Sequence, residues 1–189
     1  MEIISAIYSE GRVVVPAQNE ANSLYQDGYG SLLGEGRLLT LKPVEALNLV
    51  ERMKIAILDE ESRKKLVFQE LLWRFSSNDP LVWTRYLIYR DLRSRGFVVR
   101  DGPGPGVDFL VYERGSYGKK PPRYLVYAIW EGAPESIRHL TTALEATETA
   151  GRIMRLAVVD RRGEVVYYTL SEMDFEQHEN QDRNLNESM

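Results

Sequence analysis

Apolar and polar positions divide the chain into stretches of period two and stretches of period near 3.6. Residues 1 to about 15 are rich in β-branched side chains on either side of Gly11 and read as strand, turn, strand. A helix starts around Asn19 to Leu24, and the glycine-rich run from Tyr25 to Gly36 reads as a turn-rich connection. Leu38 to Leu41 is a short strand. Pro43 opens a compact helix with Val44, Leu47 and Val50 on one face. Ile55 to Leu58 reads as a strand and Glu61 to Phe75 as a second helix with a charged outer face. The polar run Ser76 to Asp79 is the best boundary between two domains.

The stretch Asp79 to Tyr112 organises the second half. Asp79 suits an N-cap and Pro80 the first helical position, where its missing N–H is harmless. Leu81, Arg85, Ile88, Tyr89 and Leu92 fall near helical spacing, and Gly96 suits a helix stop. Phe97 to Arg100 is a strand, and Gly102-Pro103-Gly104-Pro105-Gly106 a rigid strand-to-strand turn. Val107, Phe109 and Val111 alternate with Asp108, Leu110 and Tyr112 as a strand requires. Glu113 to Pro122 reads as an exposed loop, Arg123 to Trp130 as a strand central in its sheet, and Pro134 to about Gly151 as a helix. Arg155 to Val159, a hairpin over 160–164, and Val165 to Leu170 close the fold; the acidic tail from Asp174 reads as disordered. The expectation is an α/β (α+β) chain: a small α+β unit over 1–78, a mixed sheet flanked by helices over 79–173, and a tail over 174–189.

Composition narrows the chemistry. With 43% hydrophobic and 28% charged residues in 189, this is an ordinary globular chain. No apolar run approaches a membrane span, and the first residues lack a basic region followed by a hydrophobic core, so the expected location is cytoplasmic, with no membrane partner. The absence of cysteine excludes disulfides, thiolate catalysis and cysteine zinc sites, and no cofactor is expected. Arginine outnumbers lysine 18 to 6, which with the missing cysteine suits a thermophile. The net charge of −4 excludes nucleic-acid binding by the whole surface. Any RNA contact must be local, and the candidates are Arg90, Arg93, Arg95, Arg100, Lys119, Lys120 and Arg123.

RNA cleavage without metal needs a base, an acid and a cation. There are two histidines. His139 reads as a surface or half-buried residue of its helix and His178 as a bystander in the tail. A metal-dependent nuclease would add a carboxylate and a lysine on the strand after Asp108, and Arg123 to Trp130 offers neither, so no metal site is expected. Asp108 reads as structural. The glycine-proline turn joins two strands, with no helix N-terminus after it, so it does not read as a phosphate cradle.

Tyr89 to Tyr112, in the pattern YxxLRxRGFxVxxGxxxGxDFxVY, resembles the catalytic-domain signature of the archaeal tRNA-splicing endonucleases. The likeness extends to YGSLLGEGRLLTLKPVEALNLVERMKI in the first half and to YLVY, LAVVD and VVYY in the second. It implies an α+β N-terminal domain and a restriction-endonuclease-like C-terminal domain. It also implies an active site of Tyr, His and Lys, whose positions fall on Pro105, Pro121 and Arg152 (Ile153 with a one-residue slip), leaving no catalytic residue. A scaffold kept without these groups resembles the non-catalytic structural subunit of the heterotetrameric enzymes. The implied partners are a catalytic endonuclease subunit, two of each chain, and precursor tRNA. The resemblance further implies an interface through Val165, Val166, Tyr167 and Tyr168 of the last strand, and a docking hairpin carrying Asp160 and Glu164, from which Arg161 and Arg162 depart. Two alternatives stand beside this: an active ribonuclease using Tyr112, Tyr117 and Lys119, and a general RNA- or protein-binding module.

Overall fold

The computed structural model describes residues 3–34, 38–104 and 106–171. The expected tail over 174–189, with His178, lies outside the described residues, as does Pro105. Two mixed sheets and five helices are described.

The first sheet gathers β1 (Ile4–Ser9), β2 (Arg12–Val15), β3 (Ser31–Leu33), β4 (Leu38–Leu41), β5 (Ile55–Asp59) and β6 (Lys65–Leu66) in the order β3-β4-β2-β1-β5-β6. Gly11 sits in the turn of the β1–β2 hairpin as expected, and β1 pairs β5 in parallel. Helices α1 (Gln18–Gln26), α2 (Pro43–Glu51) and α3 (Phe68–Ser76) accompany it. Two expectations fail here. Ser31–Leu33 is a strand inside the stretch read as turns, because Leu32 opposite Leu39 gives it an apolar partner. The helix expected from Glu61 begins only at Phe68. The Asp59 carboxylate accepts from the Ser62 amide (2.8 Å) and hydroxyl (2.9 Å), which closes a turn and returns the chain as β6 against β5.

The second sheet runs β11-β10-β9-β8-β7, from β7 (Val98–Gly104), β8 (Val107–Tyr112), β9 (Tyr124–Trp130), β10 (Ile153–Val159) and β11 (Val165–Thr169). The strand read as central, β9, is central: antiparallel to β8 and parallel to β10. Helix α4 (Val82–Ser94) starts two residues later than the sequence suggests. Asp79 still caps the chain's entry by accepting from the Leu81 amide at 2.9 Å. It stops where expected, with the Phe97 N–H donating to the Leu92 carbonyl at 3.2 Å. Helix α5 (Ile137–Thr149) carries the chain from β9 to β10.

One apolar cluster serves both halves. Tyr29, Leu39, Leu47 and Leu49 from the first pack in the same core as Tyr86, Ile88, Tyr89, Val99 and Phe109 from the second. The outer face of the second sheet holds a small satellite of Ala143, Leu144 and Met154 under α5.

Candidate functional site

Strand pairing brings one set of ends together. Tyr124 at the start of β9 sits between Val111 of β8 and Ile153 of β10. The last residue of β8, Tyr112, the loop ending at Pro121 and Pro122, and Arg152 therefore share one end of the sheet. There the Tyr112 and Tyr117 rings meet edge to face at 5.2 Å. Tyr117 also lies under the Arg100 guanidinium at 5.9 Å, and burial raises its phenol pKa. The guanidiniums of Arg123 and Arg155 stand 5.4 and 5.3 Å from the Tyr124 ring, and Arg123 pairs with Glu113. Pro121 is exposed and Arg152 half-buried.

Of the positions implied by the resemblance, Pro121 and Arg152 share this end of the sheet. Position 105 lies outside the described residues, but its neighbour Gly104 pairs with Val107 at the start of β8. Because β8 runs antiparallel to β9, that start lies beside the far end of β9, a strand length of roughly 17 Å from Tyr112 at ~3.3 Å per residue. The phenol that shares an end with Pro121 and Arg152 is Tyr112. Spacing from the GxDF motif cannot reveal this; counting register along the β8–β9 pair does.

Most of the expected RNA-binding cations are committed inside the chain. Arg90 pairs with Glu51 (3.3 Å) and Arg95 with Asp91 (2.8 Å). Arg93 donates to the Asp27 carbonyl and covers the Tyr29 ring at 4.0 Å. Arg100 reaches the Gly28 carbonyl (3.0 Å) and the buried Glu45 (3.5 Å). These four tie the halves together or brace α4. Lys119 and Lys120 are exposed, and no ion pair engages either among the described residues.

The last strand splits by face. Val165 and Tyr167 turn inward against the core, where the Tyr167 hydroxyl donates to Asp91 at 2.8 Å. Val166 and Tyr168 are 46% and 54% exposed on the other face of this edge strand. Asp160 accepts from the Arg162 and Glu164 amides, both at 2.8 Å, so it closes its own hairpin. These hydrogen bonds, the Glu164 amide first, hold its carboxyl below the ordinary range. Arg162 reaches both Asp160 (3.4 Å) and Glu164 (3.3 Å), which leaves the hairpin tip less acidic than a simple residue count suggests.

A cleft of about 610 Å³ opens at the opposite end of the sheet from Tyr112, between α4, the glycine turn and α5. Gly106 makes this closure possible: its φ is +83°, and a Cβ there would stand 2.7 Å from that of Ala143 on α5. Asp108 lines the cleft with both oxygens engaged, one by Arg85 Nε (2.8 Å) and the other by the Ala128 amide (2.8 Å). Burial raises its pKa despite these partners. No group of His, Cys, Asp and Glu suited to a metal occurs among the described residues. Tyr127, Glu135 and His139 line the cleft wall, and His139 Nδ1 lies 3.4 Å from Glu135 Oε1. Burial, with the Glu135 carboxylate nearby, pushes the Tyr127 phenol up to about 12. His139 is 70% exposed on α5, as the sequence suggests, and stands four residues after Glu135.

Two family models match the chain. The N-terminal domain of the tRNA intron endonucleases matches residues 4–72, and their catalytic C-terminal domain matches residues 82–167. The chain is 35% identical over 167 residues to a tRNA-splicing endonuclease of Methanococcus maripaludis, covering 88% of this chain and 93% of that one. It is 34% identical over 167 residues to that of Thermococcus kodakarensis, covering 88% and 96%. Against that of Methanococcoides burtonii it is 37% identical over 158 residues, which spans 82% of this chain and 43% of that longer one.

Proposed function

Because the chain belongs to the tRNA intron endonuclease family, we propose that it is the non-catalytic structural subunit of a heteromeric enzyme that excises introns from precursor tRNA. Its role is to hold a cleaving subunit, two of each chain, on the RNA.

The observation that carries this reading is the chemistry at the shared end of β8, β9 and β10. Tyr112, Tyr117, Arg152 and the lysines of the loop gather there without an imidazole among the described residues; the one described histidine, His139, belongs to the cleft at the other end. A phenol and cations can orient and hold a phosphate. Near neutral pH they do not both accept and return a proton, which cleavage of a ribose phosphodiester needs. Support for the partner comes from the outer face of β11, where Val166 and Tyr168 leave apolar surface at a sheet edge.

The test is a cleavage assay on a bulge-helix-bulge precursor tRNA. The chain alone is expected to leave it intact. A paralogue carrying Tyr, His and Lys is expected to cut it when the two are mixed, and to co-elute with this chain. Complete excision by the chain alone overturns the proposal.

A further inference from the structure

Charge is divided unevenly along the chain. Residues 172–189 hold six carboxylate side chains and one arginine, which is −5 of a net −4, so the remainder carries +1. These residues lie outside the described ones, but strand register fixes where they depart. Thr169 at the end of β11 faces Arg155 near the start of β10, and Ile153 at that start faces Tyr124. The Arg155 guanidinium meets the Thr169 hydroxyl, and Leu170 packs on the small cluster under α5. The chain therefore leaves Ser171 at the same end of the sheet as the loop that follows Tyr112.

That loop, 113–123, carries Arg114, Lys119, Lys120 and Arg123 against one carboxylate, Glu113, which Arg123 takes. Arg114, Lys119 and Lys120 are exposed, and no ion pair engages them among the described residues. The Ser116 carbonyl accepts from the Lys119 (3.0 Å) and Lys120 (2.8 Å) amides, which holds both lysines on one turn. From β11 to β8 is three strand spacings, roughly 14 Å at ~4.8 Å each. The five residues after Ser171 include Glu172, Asp174 and Glu176, and they span up to roughly 17 Å at ~3.4 Å per residue. We propose that residues 172–189 dock on loop 113–120 of their own chain, set carboxylates against Arg114, Lys119 and Lys120, and so compete with RNA phosphates for these cations. Exposed ion pairs are individually weak, but a short tether keeps the effective concentration high, and several pairs then act together. The consequence is a threshold: a nucleic acid gains these cations only by offering more phosphate contacts than the tail offers carboxylates. The docking requires neither a partner subunit nor RNA. Only the competition rests on the proposed role with RNA, and a different measurement reads each.

The chain has no cysteine, so Asn180→Cys in the full chain accepts a single nitroxide while every tail charge stays. At low salt the label is expected to broaden the Gly115 and Gly118 amide resonances, and high salt to release them. Arg114→Ala/Lys119→Ala/Lys120→Ala is expected to abolish the broadening. Broadening that persists in that variant reports only the tether; this result, or no broadening at low salt, overturns the docking. Fluorescence anisotropy with a short oligouridylate at low salt reads the competition. Exchanging the tail carboxylates for amides (Glu172→Gln, Asp174→Asn, Glu176→Gln, Glu179→Gln, Asp182→Asn and Glu187→Gln) is expected to tighten binding about ten-fold, the scale of a few exposed ion pairs. In the triple-alanine chain the same exchange is expected to leave affinity unchanged. An equal gain in both backgrounds is general repulsion by the tail, and no gain in the first is no competition. Either result overturns the competition, and the nitroxide result judges the docking by itself.

Discussion

Glu45 is a carboxylate that water scarcely reaches, at 2% exposure on α2. It accepts from the Lys42 amide (2.8 Å) and the Gly30 amide (3.0 Å) and faces Arg100, yet burial outweighs all three and raises its pKa above the ordinary 4.5. A carboxyl raised in the fold favours folding while it is protonated. That contribution is complete below the unfolded pKa and is lost as pH rises through the folded one. Denaturant titrations of the native chain and of Glu45→Gln are therefore expected to diverge with pH. The native chain loses stability relative to the variant as pH rises above the ordinary carboxylate range, and a constant difference would refute the assignment. The same residue shows what a sequence conceals. Glu45 is legible as a helix-start acid three residues after the N-cap position. Its burial is not, because it depends on β7 bringing Arg100 across from 55 positions away.

Elements were more legible than residues, and the exceptions have local causes. The order after residue 79 is readable because β8 alternates strictly, β9 is apolar throughout, and glycines follow both helices at Gly96 and Gly151. The false helix from Glu61 arose because charged residues fit a helix surface as well as a tight turn, and only the Ser62 contacts with Asp59 decide. The last strand was legible as an edge, but its faces do different work. Tyr167 is fastened to Asp91 and belongs to the fold, whereas Tyr168 is exposed beside Val166. Tyr168→Asp is accordingly expected to leave the chain's own stability within about 0.5 kcal/mol. It is expected to weaken association with the proposed cleaving subunit by about thirty-fold or more, the scale of an interface anchor, as read by sedimentation or co-elution. Tyr167→Phe, which removes only the hydroxyl bonded to Asp91, is expected to do the reverse: lower stability and spare association. If both variants associate normally, the outer face of β11 is not the contact.

At the scale of the whole molecule, two family domains share a single core. The family models leave a gap over residues 73–81, where the polar run suggested a boundary, but the packing does not respect it. Gly28 presses on Val98 so closely that a Cβ would stand 2.3 Å from its Cγ1, and φ there is +83°. Around that contact Arg93 and Arg100 donate to the Asp27 and Gly28 carbonyls, Lys42 meets Asp101, and Phe68 meets Tyr86 at 5.2 Å. A joint with this many buried and charge-assisted contacts couples the two sheets, so they should unfold together. In a Trp73→Phe chain, which removes the tryptophan of α3, Trp83 on α4 and Trp130 on β9 report the second half by fluorescence, while far-UV circular dichroism reports both sheets. The two signals are expected to trace one transition. Gly28→Ala, which adds a clash and left-handed strain, is expected to cost about 1–3 kcal/mol and to shift both signals equally. If the dichroism moved and the tryptophan signal stayed, the halves would be independent bodies. The proposed role of holding another chain in register would gain from the coupled arrangement, because a displacement at β11 is then resisted by both sheets.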